Sequence, residues 1–147
     1  EKAAHARKGG AHATINYRTE NVAERIDALT RGAGIDRVVD VEIGVNLPAY
    51  EKALRPAAVI ATYASAVSQE VVLPLRLRQR NVTVRMVFVY TMPDAAKRQA
   101  IADIARWVAG GRPRFAIAAR FPLAEVAAAH ETVESGKKIG HVVLDIP

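Results

Sequence analysis

The chain has 147 residues, of which 50% are hydrophobic and 24% charged. This composition excludes wholesale disorder and low-complexity scaffolds, and leaves room for about one domain of roughly 150 residues. Its net charge of +6 favours an anionic partner. The absence of cysteine removes any disulfide framework, Cys-based zinc site or thiol nucleophile and points to the cytoplasm. Aromatics at 5% supply few stacking platforms for single-stranded nucleic acid. No run reaches the roughly 18 apolar residues of a membrane span. The opening Glu1-Lys2-Ala3-Ala4 lacks both Met and a signal-type apolar core, and reads as a start within a longer protein.

A first helix is predicted up to about Lys8, stopped by Gly9-Gly10, and a short strand over residues 13–17. Asn21, with Glu24 three residues on, is a capping signal for a helix whose Val22, Ile26 and Leu29 share a face. Gly32-Ala33-Gly34 ends that helix. Residues 37–43 are rich in Val and Ile, which predicts a strand covered on both faces, with Asp40 a polar exception. Asn46 is placed to cap a helix with Pro48 in its first turn, ending near Arg55-Pro56.

A strand over 58–63 and a loop over 64–68 follow, then a short helix after Pro74 and a long apolar strand over 82–89. Met92-Pro93-Asp94 opens a helix whose buried stripe is expected at Ile101, Ile104, Ala105 and Val108. Gly110-Gly111 with Pro113 marks a boundary; beyond it lie a strand from Arg114, a helix from Leu123 and a last strand from His141. Strands alternating with helices need crossover connections, so the fold class is α/β with an open parallel sheet. The residues after Gly111 are too few for a core of their own.

The landmarks Lys2, Ile15-Asn16-Tyr17-Arg18, residues 34–40 (Gly-Ile-Asp-Arg-Val-Val-Asp), Gly44-Val45-Asn46-Leu47, Leu54-Arg55-Pro56 and Thr62-Tyr63-Ala64-Ser65 occur in that order. They continue through Phe121-Pro122-Leu123, Ala129-His130-Glu131, Ser135-Gly136-Lys137 and the closing His141-Val142-Val143-Leu144. This series resembles the medium-chain dehydrogenase/reductase superfamily, in its quinone oxidoreductase or zeta-crystallin-like branch, over essentially the whole chain. The resemblance implies the C-terminal portion of a two-domain NAD(P)-dependent reductase, entered after the second strand of a doubly wound, Rossmann-type parallel sheet. Residues 1–110 would be the incomplete cofactor-binding domain and 111–147 a returning segment of the catalytic domain.

A dinucleotide-binding glycine loop joins a strand to a helix. None of the nine glycines belongs to such a glycine-rich loop; Gly32-Ala33-Gly34 lies between a helix and a strand, with Arg37 in the place of a third glycine. The sequence also departs from the family at Ala57-Ala58, where Gly-Gly is usual. If Ala there must adopt positive φ, the cost is about 1 kcal/mol.

By the resemblance, Lys2 and Tyr17 close on the adenosine 2′-phosphate, which favours NADPH over NADH, and Arg18 is a weaker third; the plain alternative is a solvated lysine and a strand-end tyrosine. The carboxyl ends of the strands select Gly44-Val45-Asn46, Tyr63-Ala64-Ser65 and Phe88-Val89-Tyr90 as the segments facing a dinucleotide. Such loops need small and polar residues in any case. Lys137, with Lys138, could add phosphate contacts or be solvated.

The four histidines, His5, His12, His130 and His141, show no ligand spacing, so no metal site is expected, and no catalytic residue is assigned. The parent chemistry implied is hydride transfer from NADPH to a small-molecule quinone or enone. Zinc-dependent alcohol dehydrogenases and enoyl-thioester reductases of the same superfamily are alternatives. From another class, Arg76, Arg78, Arg80 and Arg85 could form a basic module for nucleic acid or another polyanion, although aromatics are not interleaved. A homodimer through the edge strand 82–89 is expected, and no membrane association.

Overall fold

In the computed structural model the described residues are 1–64, 70–111 and 115–146. The chain forms two compact units: residues 15–102, and residues 1–14 together with 103–147. The predicted loop over 64–68 lies almost wholly outside the described residues, as do Pro113 and Arg114.

The first unit is built on three parallel strands, β1 (Ile35–Asp40), β2 (Leu54–Thr62) and β3 (Thr83–Met86), in the order β1-β2-β3. Helix α2 (Val22–Thr30) precedes β1, α3 (Ile43–Tyr50) joins β1 to β2, and α4 (Leu75–Gln79) lies between β2 and β3. Asn21 caps α2 as its spacing predicts, its side chain accepting from the Glu24 amide, while the Glu24 carboxylate accepts from the Asn21 side-chain amide.

Val38, Ile60 and Val84 lie in register across the sheet and face one core. Ile26, Ile43, Leu47, Tyr50 and Leu77, from the helices, complete it. The opposite face carries the register row Val39, Ala61 and Arg85, and Val39 is 78% exposed. The expectation of a β1 covered on both faces is therefore corrected: among the described residues of this unit, helices cover one face. A Val-rich run reports affinity for burial, and one chain cannot say which surface supplies it.

Four further expectations change. Residues 13–17 form no strand; Tyr17 sits in a turn, where the Asn16 carbonyl accepts from the Thr19 and Glu20 amides. Helix α3 starts at Ile43 with Glu42 as N-cap, so Pro48 falls inside it rather than in its first turn. The strand expected over 82–89 is only Thr83–Met86, because the chain then tightens into a 3-10 turn over Val89–Thr91. The stripe Ile101, Ile104, Ala105 and Val108 on α5 (Asp94–Ala109) is exposed, and no residue of that helix is buried.

The other unit contains α1 (Lys2–Lys8) and two parallel strands, β4 (Ile117–Pro122) and β5 (His141–Asp145), connected through α6 (Val126–Glu134). Ala129 of α6 is its buried residue, and Arg120 pairs with Asp145 across the strands at 2.6 Å. Gly140 has φ +108, and a Cβ there would lie 2.4 Å from the Ala116 carbonyl oxygen, so only glycine fits beside β4.

Candidate cofactor-binding site

Parallel register places Asp40, Thr62 and Met86 side by side, so β1, β2 and β3 end at one edge of the sheet. Three of the segments selected from the sequence leave from that edge. Gly44, Val45 and Asn46 form the first turn of α3; Tyr63 and Ala64 follow β2; Phe88, Val89 and Tyr90 follow β3. Tyr63, Phe88, Val89 and Tyr90 are exposed, and the Phe88 and Tyr90 rings meet edge to face at 5.2 Å. Ser65 lies outside the described residues.

The turn after β1 is fixed by Asp40, a residue the sequence marks as polar within a strand but which spacing does not identify as an organising group. Its carboxylate is 4% exposed. One oxygen accepts from the Glu42 amide at 2.9 Å and the Asn46 side chain at 2.8 Å, and the other from the Tyr50 hydroxyl at 2.7 Å. A buried charge holds its place when several donors replace water. Burial, followed by the bond to Asp40, pushes the Tyr50 phenol far above its ordinary value. The available sequence signal was an acid closing a strand, with an amide six and a phenol ten residues later. Asn46 is consequently committed to Asp40 by its side-chain amide.

Tyr17 and Arg18 belong to the same unit. The Arg18 guanidinium lies 5.9 Å from the Tyr17 ring centre, and Tyr17 borders a cleft of about 430 Å³ with Glu20, Asn21, Pro48 and Lys52. Lys2 and Lys137 fall in the other unit, where the Lys2 ammonium donates to the Gly136 carbonyl at 3.1 Å. Two cations 135 positions apart in sequence thereby flank one exposed turn.

Of the four arginines in the basic stretch, Arg76 pairs with buried Glu51, and Arg80 donates to the Lys52 and Leu54 carbonyls. Half of that stretch thus serves the fold. Among the described residues no group of three or more His, Asp or Glu could hold a metal ion, and no helix is long and apolar enough to cross a membrane.

The family model described as zinc-binding dehydrogenase matches residues 9–144. A 2-haloacrylate reductase of Burkholderia sp is 34% identical over 98% of this chain, which spans 45% of that protein. An NAD-dependent alcohol dehydrogenase superposes with a TM-score of 0.83 at 25% identity, over 99% of this chain and 41% of its own. Escherichia coli quinone oxidoreductase, solved with NADPH, superposes with a TM-score of 0.79 at 25% identity, over 99% of this chain and 46% of its own. The chain thus spans a little under half of these relatives. Matched over nearly its whole length, it belongs to the zinc-binding dehydrogenase family of the medium-chain dehydrogenase/reductase superfamily, as part of its Rossmann-like NAD(P)-binding α/β portion.

Proposed function

We propose that the chain is the cofactor-binding, C-terminal portion of an NADPH-dependent reductase that passes hydride to a quinone or an α,β-unsaturated carbonyl. The observation carrying this reading is the common edge at which β1, β2 and β3 end, with Tyr63, Phe88, Val89 and Tyr90 exposed beyond it. Open parallel sheets bind ligands there. Gly44, Val45, Asn46, Tyr63, Ala64, Ser65, Phe88, Val89 and Tyr90 would line the dinucleotide groove. By the resemblance, Lys2 and Tyr17 would answer the 2′-phosphate, with Arg18 a weaker third, and Lys137 would add a phosphate contact.

The apolar and aromatic character of the edge suits a dinucleotide. When bound, NADPH supplies the hydride. This chain's residues bind and orient it, and Asp40 holds the turn that presents Gly44 and Val45. The zinc in the family's name finds no fitting donor set among the described residues, and no step is assigned to it.

The name of the Burkholderia relative refers to an unsaturated acid, which favours an enone-type acceptor over a quinone. Residues 1–110 are read as the cofactor domain and 111–147 as the returning segment. A homodimer through the free edge of β3, and the cytoplasm, complete the proposal. Titration of NADPH and NADH against the chain by tryptophan fluorescence tests it, with Lys2→Ala weakening NADPH alone. Equal affinity for both nucleotides before and after Lys2→Ala would remove the 2′-phosphate assignment.

A further inference from the structure

A second cavity of about 510 Å³ opens at the amino ends of β1 and β2, away from the strand ends just described. Its size falls within the range of small-molecule sites, roughly 300–1,000 Å³. One wall is the α2 face carrying Glu24 and Asp27; the other is the turn into β2, with Lys52, Arg55 and Arg80. Gly34 forms backbone between them.

The charges are unevenly used. Glu24 is engaged by Asn21, and Arg55 by Asp36 at 3.1 Å. The Arg80 guanidinium is anchored by one nitrogen to two carbonyls, at 2.9 and 2.6 Å, and no carboxylate among the described residues neutralises it. The side chains of Lys52 and Asp27 make no hydrogen bond or ion pair among the described residues. An immobilised cation, a free cation and a free carboxylate therefore border one space.

The backbone around the same cavity is unusual. The non-glycine residues with positive φ among those described are Arg31, Ala57 and Asn81, and each adjoins a lining residue: Gly32, Pro56 and Arg80. Arg31 and Asn81 follow helices, where that conformation is common. Ala57, at φ 60, is held within β2 by the hydrogen bond its amide donates to the Arg80 carbonyl, which also places Arg80. Strain of this kind concentrates at ligand sites.

We propose that this cavity is a binding site for a small zwitterion of amino-acid or dipeptide size, its carboxylate received by Arg80 and Lys52 and its ammonium by Asp27. A simple anion would meet the Asp27 carboxylate, and a simple cation would meet Arg80; a dipolar ligand satisfies both walls. The site is independent of the nucleotide reading and can stand if that reading fails.

The test is an NMR titration of the ¹⁵N-labelled full chain with glycylglycine, with N-acetylglycine and glycinamide as the single-charge controls. Saturable shifts at the amides of Gly32, Gly34 and Ala53, at concentrations of roughly 1–10 mM, are expected for glycylglycine, with each control at least about tenfold weaker. Lys52→Gln and Asp27→Asn should each weaken glycylglycine by about tenfold while leaving the rest of the spectrum in place, since both side chains are exposed. Absence of saturation, equal response to either control, or indifference to both substitutions would overturn the assignment.

Discussion

Among the described residues, Ala57 is the non-glycine residue that takes a positive φ inside a strand, where the resemblance leads one to expect glycine. With φ at 60 its Cβ crowds the following carbonyl, a cost of about 1 kcal/mol that glycine does not carry. Ala57→Gly should therefore raise stability by up to about 1 kcal/mol, less the unfolded-state entropy glycine adds; urea unfolding measures the balance, and a lower midpoint would refute it. Tyr50 gives a second residue-level prediction. Its folded phenol titrates above its unfolded value of about 10, so its contribution is intact below pH 10 and disappears as pH rises beyond it. Stability should fall on the alkaline side of pH 10, and Tyr50→Phe should flatten that slope while lowering stability at neutral pH by orphaning one Asp40 oxygen. Melting temperatures of both proteins between pH 7 and 11 give the answer; parallel curves would contradict it.

Among the elements, α4 is five residues long and too short to persist by its own hydrogen bonds. Leu77 buries one side, and Arg76 reaches Glu51, whose carboxylate is 5% exposed. That bond raises the Arg76 pKa. Removing Arg76 leaves a buried charge with no partner, so Arg76→Ala should destabilise, and adding Glu51→Gln should restore part of the loss because a neutral amide is cheaper to bury. A double-mutant cycle by chemical denaturation reads this directly; strictly additive losses would deny the clamp. The same elements show what the sequence could and could not convey. The Asn21 cap, the glycine stops and the apolar runs of β1 and β2 were legible because each is a local signal. The start of α3 was not: Asn46 looks like a cap, but its side chain is taken by Asp40, six residues back, and Glu42 holds the cap position instead. The α5 stripe has helical spacing, and spacing reports a sticky face without saying whether anything lies against it. For the candidate site, the common edge at which the strands end was legible from their order, whereas the buried Asp40–Tyr50 bond needed the fold to appear.

At the scale of the whole molecule, the residues proposed for the nucleotide supply one edge and one phosphate contact but no backbone cradle for a pyrophosphate. A dinucleotide's diphosphate is held by amides of a glycine loop at a helix N-terminus, and the nine glycines here include none placed between a strand and a helix in that pattern. Hydride transfer further requires water to be kept from the nicotinamide. However, Val39 of the sheet and Tyr63, Phe88 and Tyr90 beyond its strand ends are all more than half exposed. The chain alone should therefore bind NADPH weakly, with a dissociation constant in the millimolar rather than the micromolar range, a difference of about 4 kcal/mol. It should not turn over a soluble quinone or enone. Oxidation of NADPH followed at its nicotinamide absorbance, with either acceptor in excess, measures this beside a calorimetric titration of the nucleotide. Turnover at roughly 1 per second or faster would mean that these 147 residues already close a competent site. The exposed apolar edge would then be covered in solution by a second copy, and light scattering of the active sample would have to show a dimer that dissociates as activity is lost on dilution.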